Sequence, residues 1–304
     1  MLSFNKQTVV LTGAATGIGR LMAFGLAEEK AQLALIDINE LKLKETLDEV
    51  KSLGSKAMAY VCDISNKKDI EKTVEAIKTD FGQIDILINN AGIVIGKYIH
   101  EMGYEDIKRT LDINFIGGAY LSRLVLPDMM KRNKGFIVNI ASAMGLTGVP
   151  RMGDYCASKH AIIGFNDSLR MELKKFKCNG VKTLVVCPSA IDTGMFAGYK
   201  APFCSPLLQP EAVARKTLDA IKKERPYLKL PFIVRVIPSM KLFPAAIQDI
   251  MGKLTGLEKS MDHFHGKGKP TARSLSGSKK PKNLNERIRK VFKRAHNLME
   301  RLFM

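Results

Sequence analysis

Residues 8–19 read TVVLTGAATGIG, and the fold of this chain turns on them. Thr8, Val9, Val10 and Leu11 are β-branched or apolar in succession, which is the composition of a strand buried on both faces. The run stops at Gly13, and Gly17-Ile18-Gly19 opens a helical pattern that continues to about residue 29. Glycines at 13, 17 and 19 permit a tight turn and let backbone approach a pyrophosphate at a helix N-terminus. Their spacing is G-x-x-x-G-x-G, not the commoner G-x-G-x-x-G. A glycine-rich turn alone is often no more than a turn, so the residues downstream carry the decision.

Downstream, short apolar runs alternate with longer helical patterns. Strands are expected at 32–36, 56–62, 84–88, 135–140 and 182–187. Helices are expected at 41–53 (closed by Gly54), 67–81, 154–175 and 211–223. Residues 104–132 read as one long helix interrupted around Gly117-Gly118 and Pro127. This alternation predicts an α/β fold: one Rossmann-type, doubly wound parallel sheet covered on both faces. After Pro188 the texture changes. Residues 191–210 hold three prolines and scattered aromatics and read as a lid over a site, and 232–250 is apolar and broken at Pro238 and Pro244.

The domain reading is a dinucleotide-binding catalytic domain over 1–263, with a substrate lid at about 188–257. A flexible basic linker follows at 264–282, and a basic amphipathic helix at 283–304. The chain has 304 residues and a formal net charge of +18, but that charge is unevenly placed. Residues 264–304 carry twelve Lys and Arg against two Glu, a net +10, which leaves +8 on the rest. An excess gathered in a tail points to an anionic surface more than to an anionic substrate. Five cysteines without CxxC or zinc spacing suggest reduced thiols, and the five histidines form no ligand set, so no metal is expected. The N-terminal residues show no leader and no run of 18 apolar residues occurs, so the expected location is cytoplasmic, with peripheral membrane contact open.

Strand ends carry the cofactor reading. Asp37 lies 18 residues after Gly19, where a carboxylate can accept hydrogen bonds from both adenosine ribose hydroxyls and would repel a 2′-phosphate. Neither Thr16 nor Ile38 supplies a cation, so NAD is favoured over NADP. Asp63-Ile64 ends the third strand, where Asp63 could accept from an adenine amino group. Asn90-Ala91-Gly92 ends the fourth, with residues small enough for backbone to lie against a cofactor. Ligands of open parallel sheets bind at the carboxyl ends of strands, so these groups converge on one crevice.

Tyr155 and Lys159 stand four apart on a predicted helix and can address one point. A free phenol has a pKa of roughly 10. A fixed cation beside it favours phenolate and can bring it toward the working range. On many solvated helices such a pair means nothing. Here it stands with TGAATGIG at 12–19, Asp37, Asp63, NNAG at 89–92, Asn114, Ser142 and the segment from Pro188 to Met195, in order.

With those residues together, the chain resembles the short-chain dehydrogenase/reductase family over about residues 5–200. The resemblance implies a seven-stranded domain, usually assembled as a dimer or tetramer through two long helices. It implies that Ser142 holds the substrate oxygen and Tyr155 exchanges a proton with it. It further implies that Lys159 lowers the Tyr155 pKa and binds the nicotinamide ribose, and that Asn114 bends its helix and holds a water. Thr193 matches the family's carboxamide contact. Pro188 is followed by Ser189 where the family usually has glycine.

Apolar residues of the lid and of 228–257 suit a lipophilic alcohol or ketone, and the segment through 260–264 is similar to the retinol, hydroxysteroid and lipid-droplet branch. The expected reaction is hydride exchange between NAD(P) and such a substrate. The rival readings are an NADP-linked fatty aldehyde or oxoacyl reductase and a non-catalytic, cofactor-binding membrane scaffold. The 283–304 helix is expected to lie on an anionic membrane or lipid-droplet surface, in place of the apolar N-terminal anchor many animal members carry. Nucleic acid is not an expected partner, because the cations flank an apolar stripe rather than stacking aromatics.

Overall fold

A computed structural model describes residues 1–203 and 205–266. The expected linker and helix at 264–304 lie almost wholly outside the described residues. Seven parallel strands form one sheet: β1 (Thr8–Thr12), β2 (Gln32–Asp37), β3 (Ala57–Val61), β4 (Ile86–Asn89), β5 (Gly135–Ile140), β6 (Val181–Pro188) and β7 (Tyr227–Leu230). Their order is β3-β2-β1-β4-β5-β6-β7. The chain winds outward from β1 to β3, then returns to β4 beside β1. That reversal opens a crevice at the carboxyl ends of β1 and β4, where such sheets bind ligands.

Every residue of β1 is buried, as its unbroken apolar run requires. Val10, Ala34, Ile36, Leu87 and Ile137 meet one layer of helices: α3 (Lys67–Phe81), α5 (Gly117–Lys131) and α6 (Gly153–Lys175). Neighbouring strand residues point the other way, toward α1 (Gly17–Glu28), which packs against α2 (Glu40–Ser52) and α7 (Pro210–Lys222). Each fully buried Leu or Ile contributes roughly 1.5–3 kcal/mol, so two such layers carry the fold. Asn39 and Asn66 cap α2 and α3 by accepting from backbone N–H groups.

One local expectation is corrected, and one strand adds to the reading. The long helix after α4 (Tyr104–Leu111) is interrupted by a π-helical turn at Asp112–Ile116, not at Gly117-Gly118 or Pro127. A Cβ on Gly117 would stand 2.2 Å from the Ile64 carbonyl oxygen, so this glycine permits close packing; Pro127 sits inside α5, which runs through it. Strand β7 has no clear signal in its four residues and forms because β6 offers it an edge. The apolar stretch is broken at its prolines as expected: Pro238 sits in the first turn of α8 (Ile237–Met240), and Pro244 caps α9 (Ala245–Thr255).

Candidate active site

The first turn of the crevice is glycine because its backbone demands it. Gly13 and Gly17 have φ of +66° and +58°, the left-handed region that side chains rarely adopt. Gly19 is held for a different reason: a Cβ there would stand 2.0 Å from the Gly13 carbonyl oxygen. The Thr12 hydroxyl accepts from the backbone N–H groups of Asn90 and Ala91 at 2.9 and 3.0 Å, stitching β1 to the end of β4. The Asn90 side-chain amide donates back to the Thr12 carbonyl at 2.9 Å.

At the end of β2 the Asp37 carboxylate accepts from the N–H groups of Ala15 and Asn39, both at 3.0 Å. It is thus fixed beside the glycine turn. Asp63 at the end of β3 accepts from the Ser65 N–H and hydroxyl at 2.9 and 2.7 Å.

From this turn a cleft of about 660 Å³ runs across the strand ends. It brings together Gly13, Thr16, Gly17, Ile18, Asp37, Asp63, Ile64, Asn90, Ala91, Gly92, Ser142, Tyr155, Lys159, Pro188 and Thr193, all of them expected from the sequence. Gly19 and Asn114 do not line it. Gly19 packs behind the turn, and Asn114 belongs to a smaller void beneath. The lining also includes Glu105, Lys108 and Arg109 of α4, which sequence reasoning missed. Their helical spacing marks a polar face, but nothing local says that the face fronts a cleft.

Tyr155, Lys159, Ser142 and Asn114 are all buried. The π-turn aims Asn114 inward, where its Oδ1 accepts from the Ile93 N–H at 2.7 Å. Its amide donates to the Ile93 carbonyl at 3.0 Å and to the Ser158 hydroxyl at 3.1 Å. Ser158 in turn donates to the Tyr155 carbonyl at 2.7 Å, so the π-turn is tied to α6 between Tyr155 and Lys159. The Thr110 hydroxyl donates to Asp154 at 2.7 Å and fixes the start of α6 against α4.

The Lys159 ammonium donates to the Ile140 carbonyl at 2.9 Å and lies 5.5 Å from the centre of the Tyr155 ring. Burial pushes the Tyr155 phenol well above its ordinary value, and hydrogen bonding with the Ser142 hydroxyl opposes that rise. Burial also pulls Lys159 down to about 8.

The other side of Tyr155 is apolar. Met144, Val149, Met152, Met261 and Phe264 cluster around it, with Phe196 meeting its ring edge-on at 6.0 Å. Arg151 binds this wall together: it donates to the Gly96 carbonyl at 3.0 Å and to the Met261 carbonyl at 2.6 Å. The segment after β6 joins the same wall, with backbone bonds from Lys200 to Ser260 and from His265 to Ala197. His160 lies off the cleft, against the Cys156 carbonyl and Lys241.

These residues fit a dinucleotide. Two left-handed glycines leave backbone uncovered, a carboxylate stands at the second strand end, and the buried Ser189 hydroxyl on the cleft wall has no hydrogen-bond partner.

Residues 7–202 match the family model described as short chain dehydrogenase. The mouse protein "Epidermal retinol dehydrogenase 2" is 36% identical over 269 residues, covering 87% of each chain. The rat protein "17-beta-hydroxysteroid dehydrogenase 13" is 35% identical over 237 residues, covering 78% of this chain and 79% of that one. Among solved structures, a short chain dehydrogenase/reductase from Burkholderia phymatum in complex with NAD superposes with a TM-score of 0.73. It is 28% identical and covers 80% of this chain and 96% of its own.

Proposed function

The chain belongs to the short-chain dehydrogenase family and is an oxidoreductase of its retinol and hydroxysteroid dehydrogenase branch; from that premise we propose that it interconverts a lipophilic alcohol and its carbonyl with NAD. The substrate is of the retinoid, steroid or long-chain type. The observation that carries this reading is the buried group of Ser142, Tyr155 and Lys159. It lies at one end of a cleft whose other end is a glycine turn faced by Asp37.

NAD, when bound, would supply the acceptor for the hydride that leaves the carbinol carbon. The protein's part is to hold the substrate oxygen and move its proton. The Ser142 hydroxyl holds that oxygen, and the Tyr155 phenol exchanges the proton with it. Lys159 sits where it can donate to a ribose and keep a positive charge near the phenol. The turn at residues 13–19 would hold the pyrophosphate, and the small residues Asn90-Ala91-Gly92 would let backbone lie against the cofactor. Asp37 would take the adenosine ribose and Asp63 the adenine, and Pro188 and Thr193 would lie beside the nicotinamide. Ile93, Ile191, Met195 and Phe196, which line the cleft, would give the substrate an apolar seat, backed by the buried Met144, Met152 and Met261.

Assembly as a dimer or tetramer, and contact of residues 283–304 with an anionic membrane or lipid-droplet surface, belong to the same reading. A screen of retinoids, steroids and long-chain alcohols with NAD tests it. The expected result is turnover by the natural chain and its loss, by at least about a thousandfold, in Tyr155→Phe with NAD binding retained. A Tyr155→Phe enzyme that keeps its rate would overturn the mechanism. A strong preference for NADPH would overturn the role given to Asp37.

A further inference from the structure

Between β7 and the apolar wall of the site, the chain makes short helices that bury little, with Ile237 of the first packed on the core. Neither α8 nor α9 has a buried residue. In α9, Ile247, Ile250, Met251 and Leu254 recur at helical spacing and make one apolar stripe. In a globular protein such a stripe faces the core. Here Ile250 is 57% and Leu254 81% exposed, and on the preceding turn Leu242 is 86% exposed. The lid adds to the same region: the Phe203 N–H donates to the Thr255 carbonyl at the end of α9, and Phe203 is 98% exposed. Isolated exposed apolar residues are ordinary, but a whole amphipathic helix turned outward beside a lid is not.

The charges around this face choose its partner. Arg235, Lys241, Lys253 and Lys259 are exposed along it, against Asp249 and Glu258. Lysine is depleted from the cores of protein interfaces, whereas apolar stripes flanked by cations suit anionic headgroups. The sequence continuing beyond this region carries a net +10 over residues 264–304, the same sign. None of the helices among the described residues is long and apolar enough to cross a membrane, so the contact would lie in the interface plane.

We propose that α8, α9 and the Phe203 corner of the lid form a monotopic docking face for an anionic lipid bilayer. Leu242, Phe243, Ile250 and Leu254 enter the acyl boundary, and Lys241 and Lys253 meet the headgroups. The face borders the lid and, through Leu257, the apolar wall around Tyr155. A lipophilic substrate then reaches the cleft from the lipid rather than from water. This deepens the membrane contact proposed for residues 283–304, and the two are separable.

The test is flotation of the full chain with vesicles of phosphatidylcholine and phosphatidylserine, in three forms: natural, Leu242→Asp/Leu254→Asp, and Arg287→Gln/Arg289→Gln/Lys290→Gln. Retained NAD binding reports folding, and light scattering reports oligomer mass. The docking face predicts that the Leu242→Asp/Leu254→Asp form loses at least about tenfold in vesicle affinity with unchanged mass and NAD binding. Flotation equal to the natural chain would overturn it. A fall in oligomer mass in that form would also overturn it, by making the face a contact between copies. If the Leu242→Asp/Leu254→Asp form proves unfolded, Lys241→Glu/Lys253→Glu must lose affinity for vesicles containing phosphatidylserine, and equal flotation there is the overturning result. The variant at 287, 289 and 290 decides the tail separately: unchanged flotation in it sinks the tail and leaves the face standing.

Discussion

Burial leaves the Lys159 ammonium with the Ile140 carbonyl as its hydrogen-bond acceptor and pulls its pKa from 10.5 to about 8. A shift of that size corresponds to a penalty on the order of 3 kcal/mol for holding the charge inside. Below pH 8 both folded and unfolded chains are protonated and the whole penalty applies. As pH rises, the fold releases the proton while the unfolded chain keeps it to roughly pH 10.4, so this group makes the fold more stable across that window. Lys159→Met in the cofactor-free protein should therefore raise the unfolding free energy near pH 7 by up to about 3 kcal/mol. Urea unfolding at several pH values should show the gain shrinking above pH 8. Turnover should be lost in the same variant, which marks the charge as kept for function. Asp37 makes a second prediction at this scale. Its carboxylate would meet a ribose hydroxyl pair or repel a phosphate, so Asp37→Asn should lower the ratio of kcat/KM for NAD over NADP by about tenfold or more. Steady-state rates with both cofactors check it.

Among elements, the glycine turn and the π-turn do most to shape the site. Gly19 has no room for a methyl group, and its close neighbour is backbone that cannot step aside. Gly19→Ala should cost about 1–3 kcal/mol in stability and weaken NAD binding, since the turn itself must shift. Gly164 in α6 is the control. It is exposed, and a Cβ there would meet nothing within 4 Å. Gly164→Ala should leave NAD binding unchanged and stabilise the fold by about 0.5–1 kcal/mol. Thermal unfolding and cofactor titration of the two variants read both effects. The π-turn at Asp112–Ile116 adds a residue to one turn and swings Asn114 toward Ile93 and Ser158.

For the molecule as a whole, the apolar wall around Tyr155 is assembled from parts distant in sequence. Arg151 joins the loop at Gly96 to the segment at Met261 and Asp262, and Phe264 packs over Gly96. Releasing this clasp should loosen the wall without touching Ser142, Tyr155 or Lys159. Arg151→Ala should raise KM for a lipophilic substrate by at least about fivefold while kcat changes less. Faster proteolysis near residues 257–266 should accompany it. Equal KM values for both forms would show that the wall stands without the clasp.

The sequence by itself determined the strand–helix alternation, the glycine turn and the acids at strand ends, because these are local. A backbone that must take positive φ requires glycine, and a strand buried on both faces requires an unbroken apolar run. Six of the strands and the outline of the cleft were therefore legible. Strand β7, the π-turn and the tight packing of Gly117 were not, since each depends on what a neighbouring element presents. The same holds at the site. Tyr155 and Lys159 could be read from their spacing, but only the tertiary structure decided that burial raises the one and lowers the other. It also turned the stripe of α9 outward: spacing makes a stripe, and only packing decides whether anything covers it.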